Sequence, residues 1–241
     1  MTLIKAPELL LPAGTLQRMR TAYDFGADAV YAGQPRYSLR ARNNEFKFEQ
    51  LATGIAEAHQ RGKKFFVTSN LIAHNDKLRT YLRDLQPVVE LRPDALIMAD
   101  AGLIMLVREQ MEKGLWPEVP IHLSVQANTT NWATVKFWQK MGVSRIILSR
   151  ELSLDEIAMA DAVAPAPELT ILFISPMSQV IGADSSMAYL LKPLPSKQAW
   201  SVVAVDAGLV GQHCNMLGDM ALATAADALS AAGSVWYFTG S

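Results

Sequence analysis

The chain holds a single cysteine, Cys214, among 241 residues, so no disulfide can form within it. A cytoplasmic location is therefore the default expectation. Nor is there an apolar run near the roughly 18 to 20 residues that cross a bilayer, and the start, MTLIKAPELLLPAG, is too short in apolar residues for a signal peptide. With 22 basic and 23 acidic side chains the net charge is −1, which excludes a global electrostatic attraction to nucleic acid but not a local patch. Absent too are a G-x-G-x-x-G turn, a Walker loop, a nucleophile elbow and a Cys-pair metal motif. Arginine is missing after Arg150, and residues 172–241 hold only 6 of the 45 charged side chains.

What is present is a repeat. Short apolar runs at Leu9–Leu11, Ala29–Tyr31, Phe65–Ser69, Ala95–Met98, Ile121–Val125, Ile146–Leu148 and Leu169–Ile174 alternate with segments of helical periodicity. Those segments are Thr15–Tyr23, Phe48–Gln60, Leu78–Val89, Gly102–Lys113, Ala133–Lys140 and Leu154–Ala162. Alternation of this kind predicts parallel strands joined by helical crossovers, and strands covered on both faces are nearly all apolar, as these are. The fold class expected is α/β, a (β/α) TIM-like barrel. The rival, a doubly wound open sheet, usually carries a Gly-rich turn after its first strand, and LLLPAGTLQRM has none. Seven strands are recognisable where a barrel needs eight. Trp200–Val205 is the candidate for the last, in an otherwise odd tail. The expected division is a barrel domain at 1–175 and a charge-poor segment at 176–241. A barrel left open would present an unpaired strand edge, which invites aggregation or a homo-oligomer.

Polar residues collect where the runs end, the place where such barrels build their sites. After the second run lie Arg40 and Arg42, a pair suited to a carboxylate or phosphate because guanidinium binds both bidentately; a solvated loop with local ion pairs is the competing reading. After the third come Asn70, His74 and Asp76. His74 with Asp76 reads as a base and its orienting carboxylate, or as two metal ligands for which no third stands at diagnostic spacing. Asn75 and Asp76 read equally as caps for a helix starting near Lys77. After the fifth, Gln126 and Asn128 bring amides that orient a polar ligand without moving a proton, and Asn131 is a candidate cap for the helix at Trp132. Closing the sixth, Arg150 and Glu151 read as an anion contact beside a general base, or as an ion pair ahead of a helix with Ser153 and Glu156 as its capping box. No metal site is expected from spacing.

The stretches ELLLPAGTLQRMRTAYDFGADAVYAGQPRYSLRARNNEF, HND after the third run, DALIMADAGLIMLVRE, PIHLSVQANTTNWATVKFW and RIILSRELSLDEI together resemble one family, the collagenase-like peptidases of unassigned mechanism, in its YegQ branch. The resemblance runs from about Pro7 to about Glu168. It implies a barrel-like domain and a role in prephenate-dependent hydroxylation of the tRNA wobble uridine to 5-hydroxyuridine, with tRNA and prephenate as partners. Proteolysis is the alternative that the family name carries, and a non-catalytic anion-binding barrel is a third. The resemblance also implies an iron–sulfur cluster held by cysteines. Where the cysteine signature should follow, this chain reads FISPMSQVIGADSSMAYLLKPLPSKQAW, and only Met187-Ala188-Tyr189 resembles the family there. Residues from about 172 onward therefore read as a divergent or out-of-frame terminus. Hydrolysis needs an activated nucleophile or a metal-bound water, and neither is evident in the matched region. That favours tRNA modification over peptidase chemistry.

Overall fold

The computed structural model describes residues 8–39, 46–149, 152 and 156, together with the backbone of 168–173 and 201–204. Six strands are each followed in turn around a curled, all-parallel sheet: β1 (Leu10–Pro12), β2 (Ala29–Gly33), β3 (Lys64–Ser69), β4 (Ala95–Met98), β5 (Ile121–Leu123) and β6 (Arg145–Ile147). Neighbours pair in sequence order, for example Val30 with Phe65, Val67 with Leu96 and Ile97 with His122. Two further parallel segments, β7 (Glu168–Phe173) and β8 (Ser201–Ala204), continue the ladder beyond β6. The segment expected as an eighth strand thus contains β8, and the rest of 176–241 lies outside the described residues.

The helices α1 (Leu16–Asp24), α2 (Phe48–Gln60), α3 (Asn75–Glu90), α4 (Ala101–Glu112) and α5 (Trp132–Lys140) connect consecutive strands. Leu154–Ala162, expected as a further helix, falls almost wholly outside the described residues. Three helix starts are capped by side chains: Thr15 accepts from the Arg18 amide at 3.1 Å, Asp100 from Leu103 at 3.0 Å, and Asn131 from Thr134 at 2.9 Å. Asn131 thus takes the capping role that its position suggested. The expected cap at Asn75 or Asp76 is different. There α3 begins earlier, His74 occupies the cap position without a side-chain hydrogen bond, and Asp76 stands in the first turn, where its charge suits the helix dipole.

Alternation along the strands builds two apolar layers. Phe65, Val67, Leu96, Leu123 and Ile146 face outward and pack under Met19, Leu51, Leu85, Leu103 and Val135 of the helices. Leu10, Ala29, Phe66, Ala95, Ile97 and Ile147 face the inside of the curl and form a second cluster. Burial on both faces explains why the strands read as unbroken apolar runs. The strand C-termini therefore rim one end of the curl, and their N-termini the other.

Candidate functional site

At the C-terminal rim the polar side chains after β3 and β5 are neutral and linked. Asn70, directly after β3, accepts the Leu39 amide at 3.1 Å through Oδ1 and donates from Nδ2 to Ser124 Oγ at 3.4 Å. Ser124 follows β5 and also accepts the Gln126 amide at 3.4 Å, closing the 3-10 turn Val125–Ala127. Asn128 leaves that turn in the left-handed region (φ 51°), where asparagine is among the better-tolerated residues. Its Oδ1 accepts from Ser149 Oγ at 3.0 Å, which ties the end of β5 to the end of β6. Inside this chain of bonds, Thr68 is buried, and neither its Oγ1 nor Gln126 Oε1 has a hydrogen-bond partner among the described residues. Buried hydroxyls and amides without partners are costly unless a ligand or water satisfies them. The rim thus presents donors and acceptors, set to orient a polar ligand rather than to take a proton from it.

The loop leaving β2 is pinned hard at its start. Tyr37 is fully buried and donates to Asp84 Oδ2 at 2.9 Å, while its oxygen lies 2.7 Å from Thr80 Oγ1. Arg36, held at φ 70°, reaches the same Asp84 oxygen at 2.7 Å, and Gln34 donates to the Asp84 carbonyl at 3.3 Å. Burial opposes the charge on Asp84, but the hydrogen bond from Tyr37 and the Arg83 and Arg36 guanidiniums hold its carboxyl below the ordinary value. Arg40 and Arg42 continue this loop and lie outside the described residues, as do Arg150 and Glu151 after β6.

His74 and Asp76 are both exposed at the head of α3, and no hydrogen bond or ion pair joins them. The nearby acid that does organise the loop is Asp100, whose Oδ2 accepts the Ala73 amide at 3.0 Å while its other oxygen caps α4. Among the described residues no three His, Cys, Asp or Glu side chains converge as metal ligands. No helix of the described residues is long and apolar enough to cross a membrane.

One polar group that no motif announced sits at the opposite end. Glu8, just before β1, accepts from Arg145 at 2.6 Å and from Lys64 at 2.6 Å. The Arg145 guanidinium lies 5.5 Å from the Phe66 ring centroid, and His122 meets that ring edge-on at 4.8 Å. Burial and the neighbouring Arg145 and Lys64 charges push the His122 ring well below its ordinary 6.5, so it is neutral. Burial would raise the Glu8 carboxyl, but Arg145 and Lys64 outweigh it and hold it below 4.5. The usable sequence signals were charges heading otherwise apolar strands, at Lys64 and Arg145. In barrels this end serves stability, whereas chemistry lies at the other.

Comparison with known proteins agrees with this geometry. The pattern of Peptidase family U32 matches residues 14–170. The tRNA hydroxylation protein P of Escherichia coli (strain K12) is 66% identical over 165 residues, covering 68% of this chain and 35% of that protein. Its namesake in Haemophilus influenzae (strain ATCC 51907 / DSM 11121 / KW20 / Rd) is 62% identical over the same share of each. The chain thus spans about a third of the length of the curated relatives that it matches. Among solved structures, the U32 peptidase Mk0906 superposes with a TM-score of 0.58 at 11% identity, covering 84% of this chain and 94% of the other, a likeness of fold alone.

Proposed function

The chain belongs to peptidase family U32, and on that premise we propose that it acts in the prephenate-dependent hydroxylation of the tRNA wobble uridine to 5-hydroxyuridine. The observation that carries this reading is the 66% identity to a tRNA hydroxylation protein over the segment that builds the rim. The neutral rim of Thr68, Asn70, Ser124, Gln126 and Asn128 supports it, because hydroxyls and amides suit the edge of a nucleobase. In this reading Arg40, Arg42 and Arg150 hold the carboxylates of prephenate or the phosphates of the RNA, as guanidinium forks do. Proton handling falls to Glu151, and to His74 with Asp76 at the head of α3. The same reading takes the sheet as a closed (β/α) barrel: β7 and β8 continue the ladder and β8 comes beside β1, which supports closure. A cytoplasmic setting goes with a tRNA substrate.

The iron–sulfur cluster implied by the family resemblance does not fit this chain's donor set. Such clusters take four cysteine thiolates as a rule, and Cys214 is the sole cysteine.

The test is mass spectrometry of tRNA nucleosides from a strain that lacks its own hydroxylation protein and expresses this chain. Restored 5-hydroxyuridine, reduced at least tenfold by the Gln126→Ala substitution, supports the proposal; tRNA without the modification overturns it. Peptidase activity is the second reading, favoured by the family's name. It requires cleavage of gelatin that is lost in His74→Ala with an unchanged melting curve; the His74 side chain is exposed and makes no cap hydrogen bond.

A further inference from the structure

We propose that the outer face of α5, headed by Trp132 and Lys136, is a docking surface for a single-stranded stretch of RNA beside the rim. The inference rests on the RNA reading above and adds the surface that it uses. The helix WATVKFWQK meets its packing needs with Val135 and Trp138, which are 0% and 7% exposed. Its other face leaves Trp132 44% and Phe137 51% exposed. Trp132 is not needed to start the helix, since Asn131 caps it through its own side chain, while Phe137 also meets the buried Trp138 edge-on at 5.1 Å.

Three features of that face fit RNA. Its charge has one sign: the charged residues of α5 are Lys136 and Lys140, with no acid among its nine residues. The cation and the ring are already paired, with Lys136 Nζ 5.1 Å from the Trp132 ring centroid, one helical turn apart. And the face lies at the functional end, because Trp132 is four residues on from Asn128 of the rim. An indole that offers a stacking surface, beside an ammonium that meets a phosphate, is the pairing with which proteins hold unpaired nucleotides. With a net charge of −1 the chain has no global attraction for a polyanion, so attraction comes from local cationic patches, of which this ridge is one.

The experiment measures binding of a fluorescently labelled anticodon stem-loop RNA to the full chain by anisotropy over a series of salt concentrations. Expected results are a Kd raised about tenfold by Trp132→Ala, largely recovered in Trp132→Phe. Lys136→Gln should raise it about threefold and make the salt dependence shallower by about one unit of slope. Phe25→Ala, at a ring 82% exposed near the strand N-termini, should leave Kd unchanged. Matching thermal melting curves exclude loss of fold. A Kd for Trp132→Ala within twofold of the parent overturns the docking surface while leaving the hydroxylation reading intact, and points to a protein partner for this face. Failure of the unaltered chain to bind the RNA overturns both.

Discussion

Gly54 lies in the middle of α2, where alanine would be the better helix former by roughly 1 kcal/mol. A Cβ at that position would stand 2.8 Å from Phe65 Cε2 and 3.3 Å from Met19 Sδ. Neither can retreat, since both are 0% exposed and Phe65 is locked edge-on against Phe46. Overpacking of a tight core costs about 1 to 3 kcal/mol, which outweighs the helical gain. Urea denaturation of Gly54→Ala should therefore show a loss of about 1 kcal/mol, and an unchanged midpoint would mean that the ring yields. Legibility at this scale was uneven. Asn70, Gln126 and Asn128 stood out because polar residues closed apolar runs; the side chains of Asn70 and Asn128 bond to Ser124 and Ser149 at the ends of β5 and β6. Their bonds to Ser124 and Ser149 could not be read, because the Asn70–Ser124 bond joins residues 54 positions apart and exists only once the sheet curls.

Helices and strands were largely visible because each buries a face whose period betrays it. The limits of that signal are visible too. Periodicity reports burial alone, so α3 was expected near Lys77 although its polar first turn starts at Asn75. The pattern that is read is apolarity, so β6 looked as though it began at Ile146, hiding the charged but buried Arg145, and β5 was extended to the apolar Val125 although the chain turns there. Asp100 is the clearest link between elements, since one carboxylate caps α4 and holds the loop between β3 and α3. Asp100→Ala should cost about 1 to 2 kcal/mol of stability in thermal melts, and should speed amide exchange at both Ala73 and Leu103. Asp100→Asn should restore most of the cap. Faster exchange at Leu103 alone would show that the loop has another anchor.

For the whole molecule, acid is the weak side. His122 is neutral when folded and titrates at its ordinary 6.5 when unfolded, so the unfolded chain binds more protons below that pH. Its contribution is complete above pH 6.5 and fades as the pH falls. Glu8, held below 4.5, contributes in full above that value and loses its share only at lower pH. Chemical denaturation at stepped pH should thus show stability declining from about pH 6.5 downward. In His122→Leu the curve should stay flat until about pH 4.5, where the Glu8 decline remains. A persistent slope between those values would assign the early loss to another group. The Glu8–Arg145 pair also sets an order in time. Its partners are 137 residues apart in the chain, so during synthesis Glu8 leaves the ribosome long before Arg145 is made. Five strands' worth of polypeptide must wait, half-sealed, for the guanidinium that closes its base. Translation speed across residues 8 to 145, rather than the composition of any one strand, then governs how long that nascent edge stays open to chaperones and to neighbouring chains.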